Sequence, residues 1–174
     1  MPSNATKRII GIDPGIERVG VAILEKKDGK EVLLHSSCIR TDPKLVLAQR
    51  IKKIGQAVSV LIKKYYPDTL ATERLYFNTN QKTAMAVAEA RGVIIYQASI
   101  AGLEIVEFTP PQIKNAVSGY GRSDKNQVRA MVKTLLKIDK KNALDDEIDA
   151  IAIALTAAAH VRFLQNPSIS KSLS

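Results

Sequence analysis

A chain of 174 residues, 45% apolar and 25% charged, is long enough to close one hydrophobic core and too apolar to stay unfolded. Its 26 Lys and Arg against 17 Asp and Glu leave a net charge of +9, which favours a polyanionic partner, nucleic acid ahead of an anionic membrane. A single cysteine, Cys38, excludes an internal disulfide and a cysteine-built zinc site, and two histidines, His35 and His160, exclude a histidine-rich metal centre.

Residues 1–7 read as a flexible arm. Residues 8–13 (RIIGID) form a short apolar strand closed by the turn pair Pro14-Gly15. Second and third strands follow over 19–24 and 31–39, joined through KKDGK, whose Asp28-Gly29 pair is a strong hairpin signal. Pro43 is placed to open a helix, where its missing N–H costs least. That helix runs to about residue 66, with Leu45, Ala48, Ile51, Ile54 or Gly55, Val58 and Ile62 at helical spacing. Pro67-Asp68 ends it, and residues 69–73 (TLATE) make a fourth strand that finishes in an acid.

An alanine-rich helix over 81–98 carries Gly92 as a close-packing point, and 104–108 is the fifth strand. Thr109 caps a short helix that starts at Pro110, and the loop GYGRS leads to a helix over 124–136. Asn142 opens a last helix to about residue 163, and residues 164–174 are a flexible tail. A three-strand meander followed by strand–helix units predicts a single α/β domain over 8–163, a mixed five-stranded sheet with helices on both faces. The N-terminal MPSNATKR lacks an apolar signal region and no apolar run reaches transmembrane length, which predicts a soluble cytoplasmic protein with no membrane association.

The chemistry is carried by acids that stand where apolar runs begin or end. Ligand sites in open α/β sheets lie at the carboxyl ends of strands, and Asp13 and Glu73 each close one. Seen alone, Asp13 reads equally well as the turn residue before Pro14-Gly15, and Glu73 as an exposed strand-end acid. The segment LDDEIDAIAIALTAAA supplies the rest. Asp145, Asp146 and Glu147 suit any helix start, whereas Asp149 lies past the first turn and introduces a stretch apolar on every side. Asp146 and Asp149 share a helix face at i, i+3, as do Asp145 and Asp149 at i, i+4, and the spacing does not choose between them. Oxygen donors without His or Cys suit hard cations, Mg²⁺ with Mn²⁺ as substitute. Two such ions on either side of a phosphodiester would prepare the attacking water and stabilise the leaving oxygen.

The ordered segments IIGIDPG (9–15), ATERLYF (71–77), EARGV (89–93), FTPPQIKNAVSGYGRSDKNQVRAMVKTLLK (108–137) and DDEIDAIAIALT (145–156) resemble the RuvC-type Holliday junction resolvases of bacteria. The resemblance spans about residues 8–160. It implies a ribonuclease-H-like fold and a Mg²⁺-dependent endodeoxyribonuclease with two ions in each site. It also implies a homodimer that cuts two opposed strands of a four-way DNA junction in recombination and repair. A branch-migration helicase complex as partner and a nucleoid-associated setting belong to the same expectation. The family's four acids fall on Asp13, Glu73, Asp146 and Asp149, which selects Asp146 over Asp145. Its junction-opening aromatic falls on Tyr76, and its two DNA-binding lysines on Lys114 and Lys125.

Two other readings share these acids: a ribonuclease-H-like nuclease acting on RNA or an RNA–DNA hybrid, and a catalytically inactive junction-binding protein. An actin-like ATPase or sugar kinase also places an acid on its first hairpin. It needs a second domain to close over the nucleotide, and 174 residues leave no room for one.

Overall fold

A computed structural model describes residues 6–75, 81–137 and 145–164. Strands β1 (Lys7–Asp13), β2 (Arg18–Lys27) and β3 (Lys30–Arg40) form the expected antiparallel meander. The strand β1 begins at Lys7, which pairs with Lys26, so the sheet starts one residue before the anticipated strand start at residue 8 and takes in the last residue of the anticipated arm. Asp28 and Gly29 both adopt positive φ, 51° and 74°, as the tightest hairpin turns require. Leu34 is the extra residue of a bulge on β3, an edge strand whose outer end alternates between exposed and half-buried positions.

Helix α1 (Leu47–Tyr65) starts later than the proline rule suggests. Pro43 instead sits in a turn in which Asp42 accepts hydrogen bonds from the Lys44 amide at its side chain (2.9 Å) and from the Leu45 amide at its carbonyl (3.1 Å). An acid before proline captures the amides locally, and this wins over helix initiation. The helix stops at Tyr66, which is left-handed and donates its N–H to the Ile62 carbonyl ahead of Pro67.

Strand β4 (Thr69–Glu73), helix α2 (Gln81–Ile100) and strand β5 (Glu104–Phe108) complete the sheet in the order β3-β2-β1-β4-β5, with β4 parallel to both neighbours. Gly92 is exposed on α2 and, among the described residues, nothing beyond its chain neighbours and its own helix backbone lies within 4 Å of where its Cβ would be, so it is not the packing point. The tight crossing of α1 on α2 falls at Gly55 instead, where a Cβ would stand 2.7 Å from Val93 Cγ1. Helices α3 (Pro110–Ser118) and α4 (Lys125–Leu136) both begin with reciprocal capping boxes, Thr109 with Gln112 and Asp124 with Gln127. The last helix, α5, spans Asp145–Leu164; the anticipated start at Asn142 lies outside the described residues.

Two cores flank the sheet. Ile10, Ile12, Val19, Val21, Ile23 and Leu70 pack on α1 and α2. Ile9, Ala22, Leu24 and Ala71 pack on α5, which is itself covered by α3 and α4. Burial on both faces explains why β1 and β2 read as continuous apolar runs rather than alternating ones, and why α5 is apolar all round.

Candidate active site

The central pair of parallel strands sets the site. Ile12 is paired with Thr72, so Asp13 and Glu73 are the next residues of neighbouring strands, at their carboxyl ends. Asp13 lies on the α5 face of the sheet, since Ile9 packs there and Gly11 abuts Ala150 and Ala154. Across the first hairpin Asp13 is paired with Gly20, and a Cβ on Gly20 would lie 1.8 Å from the Asp146 carbonyl oxygen. This missing side chain lets the first turn of α5 rest directly on β2 and brings Asp146 in beside Asp13.

Asp13, Glu73 and Asp149 line one cleft of about 370 Å³, with Lys114 from α3 and Lys125 from α4. Its apolar wall includes Pro110, Ile113, Val128 and Ile153. Asp146 lies outside the lining of this cleft. Arg18 Nε stands 3.2 Å from Asp146 Oδ2, yet that oxygen is buried with no hydrogen-bond partner among the described residues, so the ion pair is not aligned as a hydrogen bond. Lys125 Nζ stands 3.3 Å from Asp149 Oδ2. Lysine is out of place at a helix N-terminus, and the carboxylate opposite accounts for it. Asp145 turns the other way and accepts a hydrogen bond from Arg129 on α4, while Glu147 accepts one from Ser36 on β3. Tyr76 lies outside the described residues.

The electrostatics identify the centre of the cluster. Burial, then repulsion from Asp149, Glu73 and Asp146 in that order, raises the Asp13 carboxyl from its ordinary 3.8 to about 7. Burial first and Asp149 second also raise Glu73, against the nearby Lys125 and Lys114. The Asp149 carboxylate raises Lys125 above the usual lysine range. Among the described residues no group of three or more His, Cys, Asp or Glu side chains is already arranged to hold a metal ion. The donor set fits a hard divalent cation nonetheless. Every side chain offers oxygen, repulsion among the acids lacks a full counter-charge, and one Asp146 oxygen is buried without a hydrogen bond.

A carboxyl held near 7 by folding has a signed consequence. The folded chain retains a proton that the unfolded chain has released, so the metal-free protein loses stability as pH rises from about 4 to about 7. The penalty is absent below the unfolded value and complete above the folded one. Thermal unfolding in chelator should therefore show a higher Tm at pH 5 than at pH 8, and Asp13→Asn should remove most of that difference. An unchanged pH dependence in the variant would show that Asp13 is not the group responsible.

A model of the family described as crossover junction endodeoxyribonuclease RuvC matches residues 9–157. The chain belongs to the RuvC family. It is similar to the RuvC of Thermosipho melanesiensis, with 46% identity over 156 residues that cover 90% of this chain and 99% of the relative. The Brevibacillus brevis RuvC is 41% identical over 164 residues, covering 94% and 97% of the two chains. A Thermus thermophilus RuvC solved in complex with Holliday junction substrate superposes with a TM-score of 0.86 at 30% identity, covering 91% of this chain and 97% of that one. The ribonuclease-H-like mixed sheet expected from the RuvC resemblance is thus the fold observed. As in that expectation, the chain is a nuclease of the RuvC family.

Two RuvC-site features escaped the sequence. Arg18 stands just before the apolar part of β2 and reads as a solvated strand end. Its place beside Asp146 follows only from the β1–β2 register, which sets Gly20 against Asp13. Gly20 itself sits among small apolar residues, with no local mark of its contact with α5.

Proposed function

We propose that this chain resolves four-way DNA junctions by metal-dependent hydrolysis of two opposed strands, Asp13, Glu73, Asp146 and Asp149 being the residues that hold the ions. The supporting observation is the Asp13 carboxyl, buried among three other acids at the ends of adjacent parallel strands and faced by Lys114 and Lys125. Mg²⁺, with Mn²⁺ as substitute and two ions per site, would supply an activated water and neutralise charge on the leaving oxygen. The protein's part is positional. β1 and β4 fix Asp13 and Glu73 side by side, and the contact of Gly20 with α5 fixes Asp146. Lys114 and Lys125 at the cleft attract a phosphate. Lys125, which stands 3.3 Å from Asp149 in the metal-free cleft, would be released toward a phosphate if Asp149 held an ion. The products carry 5′-phosphates and 3′-hydroxyls.

Tyr76 is assigned to stacking on an unpaired base at the junction centre, on the strength of the family resemblance alone. A branch-migration helicase is the proposed partner, in the cytoplasm and on the nucleoid. Among the described residues no helix is long and apolar enough to cross a membrane.

The test is substrate choice. With Mg²⁺ the protein should cut a synthetic four-way junction at paired positions and leave a linear RNA–DNA hybrid of the same sequence intact. The reverse preference would place it with the ribonuclease-H-type enzymes. Binding without cutting would make it an inactive junction binder.

A junction cut twice calls for two sites related by symmetry. Helix α2 offers the face: Met85, Tyr96 and Ile100 are each more than 60% exposed at helical spacing. A two-chain mass is expected in light scattering, with Tyr96→Glu shifting it to one chain. A wild-type protein that stays at one chain mass at assay concentration would remove the dimer from the proposal.

A further inference from the structure

Arg18 is a cation at the site to which the proposed reaction gives no task. We propose that Arg18 is the resident counter-cation of Asp146, a positioning residue that a divalent ion must displace and whose guanidinium then turns to a DNA phosphate. This rests on the reading of the four acids as metal ligands.

The backbone puts Arg18 where it is. Gly20 is pressed against the Asp146 carbonyl, and Arg18 lies two residues earlier on the same face of β2. Any arginine at that position starts from a backbone already seated beside Asp146. Its side chain is 55% exposed while that of Asp146 is 17% exposed, so the pair joins a sheltered carboxylate to a cation with open solvent at its back. The pairing is incomplete, because among the described residues Asp146 Oδ2 has no hydrogen-bond partner despite lying 3.2 Å from Arg18 Nε. A doubly charged ion that reaches the same oxygen has the stronger claim on it.

Once displaced, the guanidinium is not left in apolar surroundings. Arg40 is its register partner across the β2–β3 ladder, so two arginines stand opposite each other on the same face of the sheet. Two cations without their shared acid make a phosphate-directed pair. Metal entry and DNA engagement would then be coupled: the ion that neutralises Asp146 also delivers a positive group to the substrate backbone.

The experiment titrates Mn²⁺ into DNA-free protein and reads binding by calorimetry, without any turnover. Removing one positive charge beside the site should let Arg18→Gln bind Mn²⁺ about fivefold tighter than wild type. Arg18→Lys, which keeps the charge, should stay near wild type. With Ca²⁺ in place of Mg²⁺ to hold off cleavage, Arg18→Gln should bind a four-way junction several-fold more weakly. Mn²⁺ affinity in Arg18→Gln that is unchanged or weaker overturns the counter-cation role, and unchanged junction affinity overturns the transfer to phosphate. Asp146→Asn in the same titration separates the two levels. If it leaves Mn²⁺ binding intact, the acid site itself is wrong and the proposal goes with it. If it weakens binding while Arg18→Gln fails to tighten it, only the role of Arg18 is lost.

Discussion

Replacing Glu73 by glutamine is expected to lower junction cleavage by at least about 10³-fold while leaving junction binding intact. The amide keeps the shape of the side chain and removes the charge that a divalent ion needs. Glu73 is already held above the ordinary carboxylate range by burial and by Asp149, so the metal-free fold gains nothing from its ionised form. The metal-free variant should therefore be as stable as wild type or slightly more so. Junction affinity should hold or rise, because one negative charge has left a cleft that must accept phosphate. Gel-shift and cleavage assays on the same four-way junction separate the two effects. Cleavage within tenfold of wild type would show that Glu73 lies outside the reacting centre. Parallel loss of cleavage and binding, with a lowered Tm, would make it a structural acid.

How far this site can be read from residues alone depends on the range of the interaction. Asp13 and Glu73 were legible because each closes an apolar strand, and a parallel pairing of those strands is the natural result of a helix between them. Asp146 and Asp145 were not separable by spacing. What separates them is Arg129, on another helix, which holds Asp145 away from the sheet. The two glycines followed the same logic. Gly92 looked like a packing point because it interrupts an alanine-rich helix, but the crossing is made at Gly55, and only the packed pair of helices decides which glycine meets the other chain segment. Pro43 failed for a local reason: the aspartate before it turns the chain before a helix can begin. Lys125 is out of place at a helix start by the dipole rule, and its observed partner is an acid of the site, which only the packing of α4 against α5 reveals. The pattern is consistent. Strand ends and caps are written locally, whereas the choice among equivalent acids or glycines is made by a residue far along the chain.

Gly20→Ala should damage the protein more than its single added methyl suggests. A Cβ at this position would lie 1.8 Å from the Asp146 carbonyl oxygen, 2.5 Å from the Asp146 carbonyl carbon and 3.3 Å from Ala150 Cβ. Two of these neighbours are backbone atoms of a helix, so no rotamer change relieves the clash. Helix α5 must lift from β2, yet it is pinned at the next turn, where Gly11 makes the same close approach to the Ala150 carbonyl. Overpacking against backbone of this kind costs about 3 kcal/mol. For a chain of this size that corresponds to a fall in Tm on the order of 10 °C. The functional loss should exceed the structural one, since the atom that must move belongs to Asp146. At a temperature where the variant is still fully folded by circular dichroism, Mn²⁺ affinity and junction cleavage should both fall, while junction binding through Lys114 and Lys125 persists. A variant that melts with wild type and cleaves normally would mean that α5 does not rest on β2 at this point. Asp146 would then have no fixed place beside Asp13.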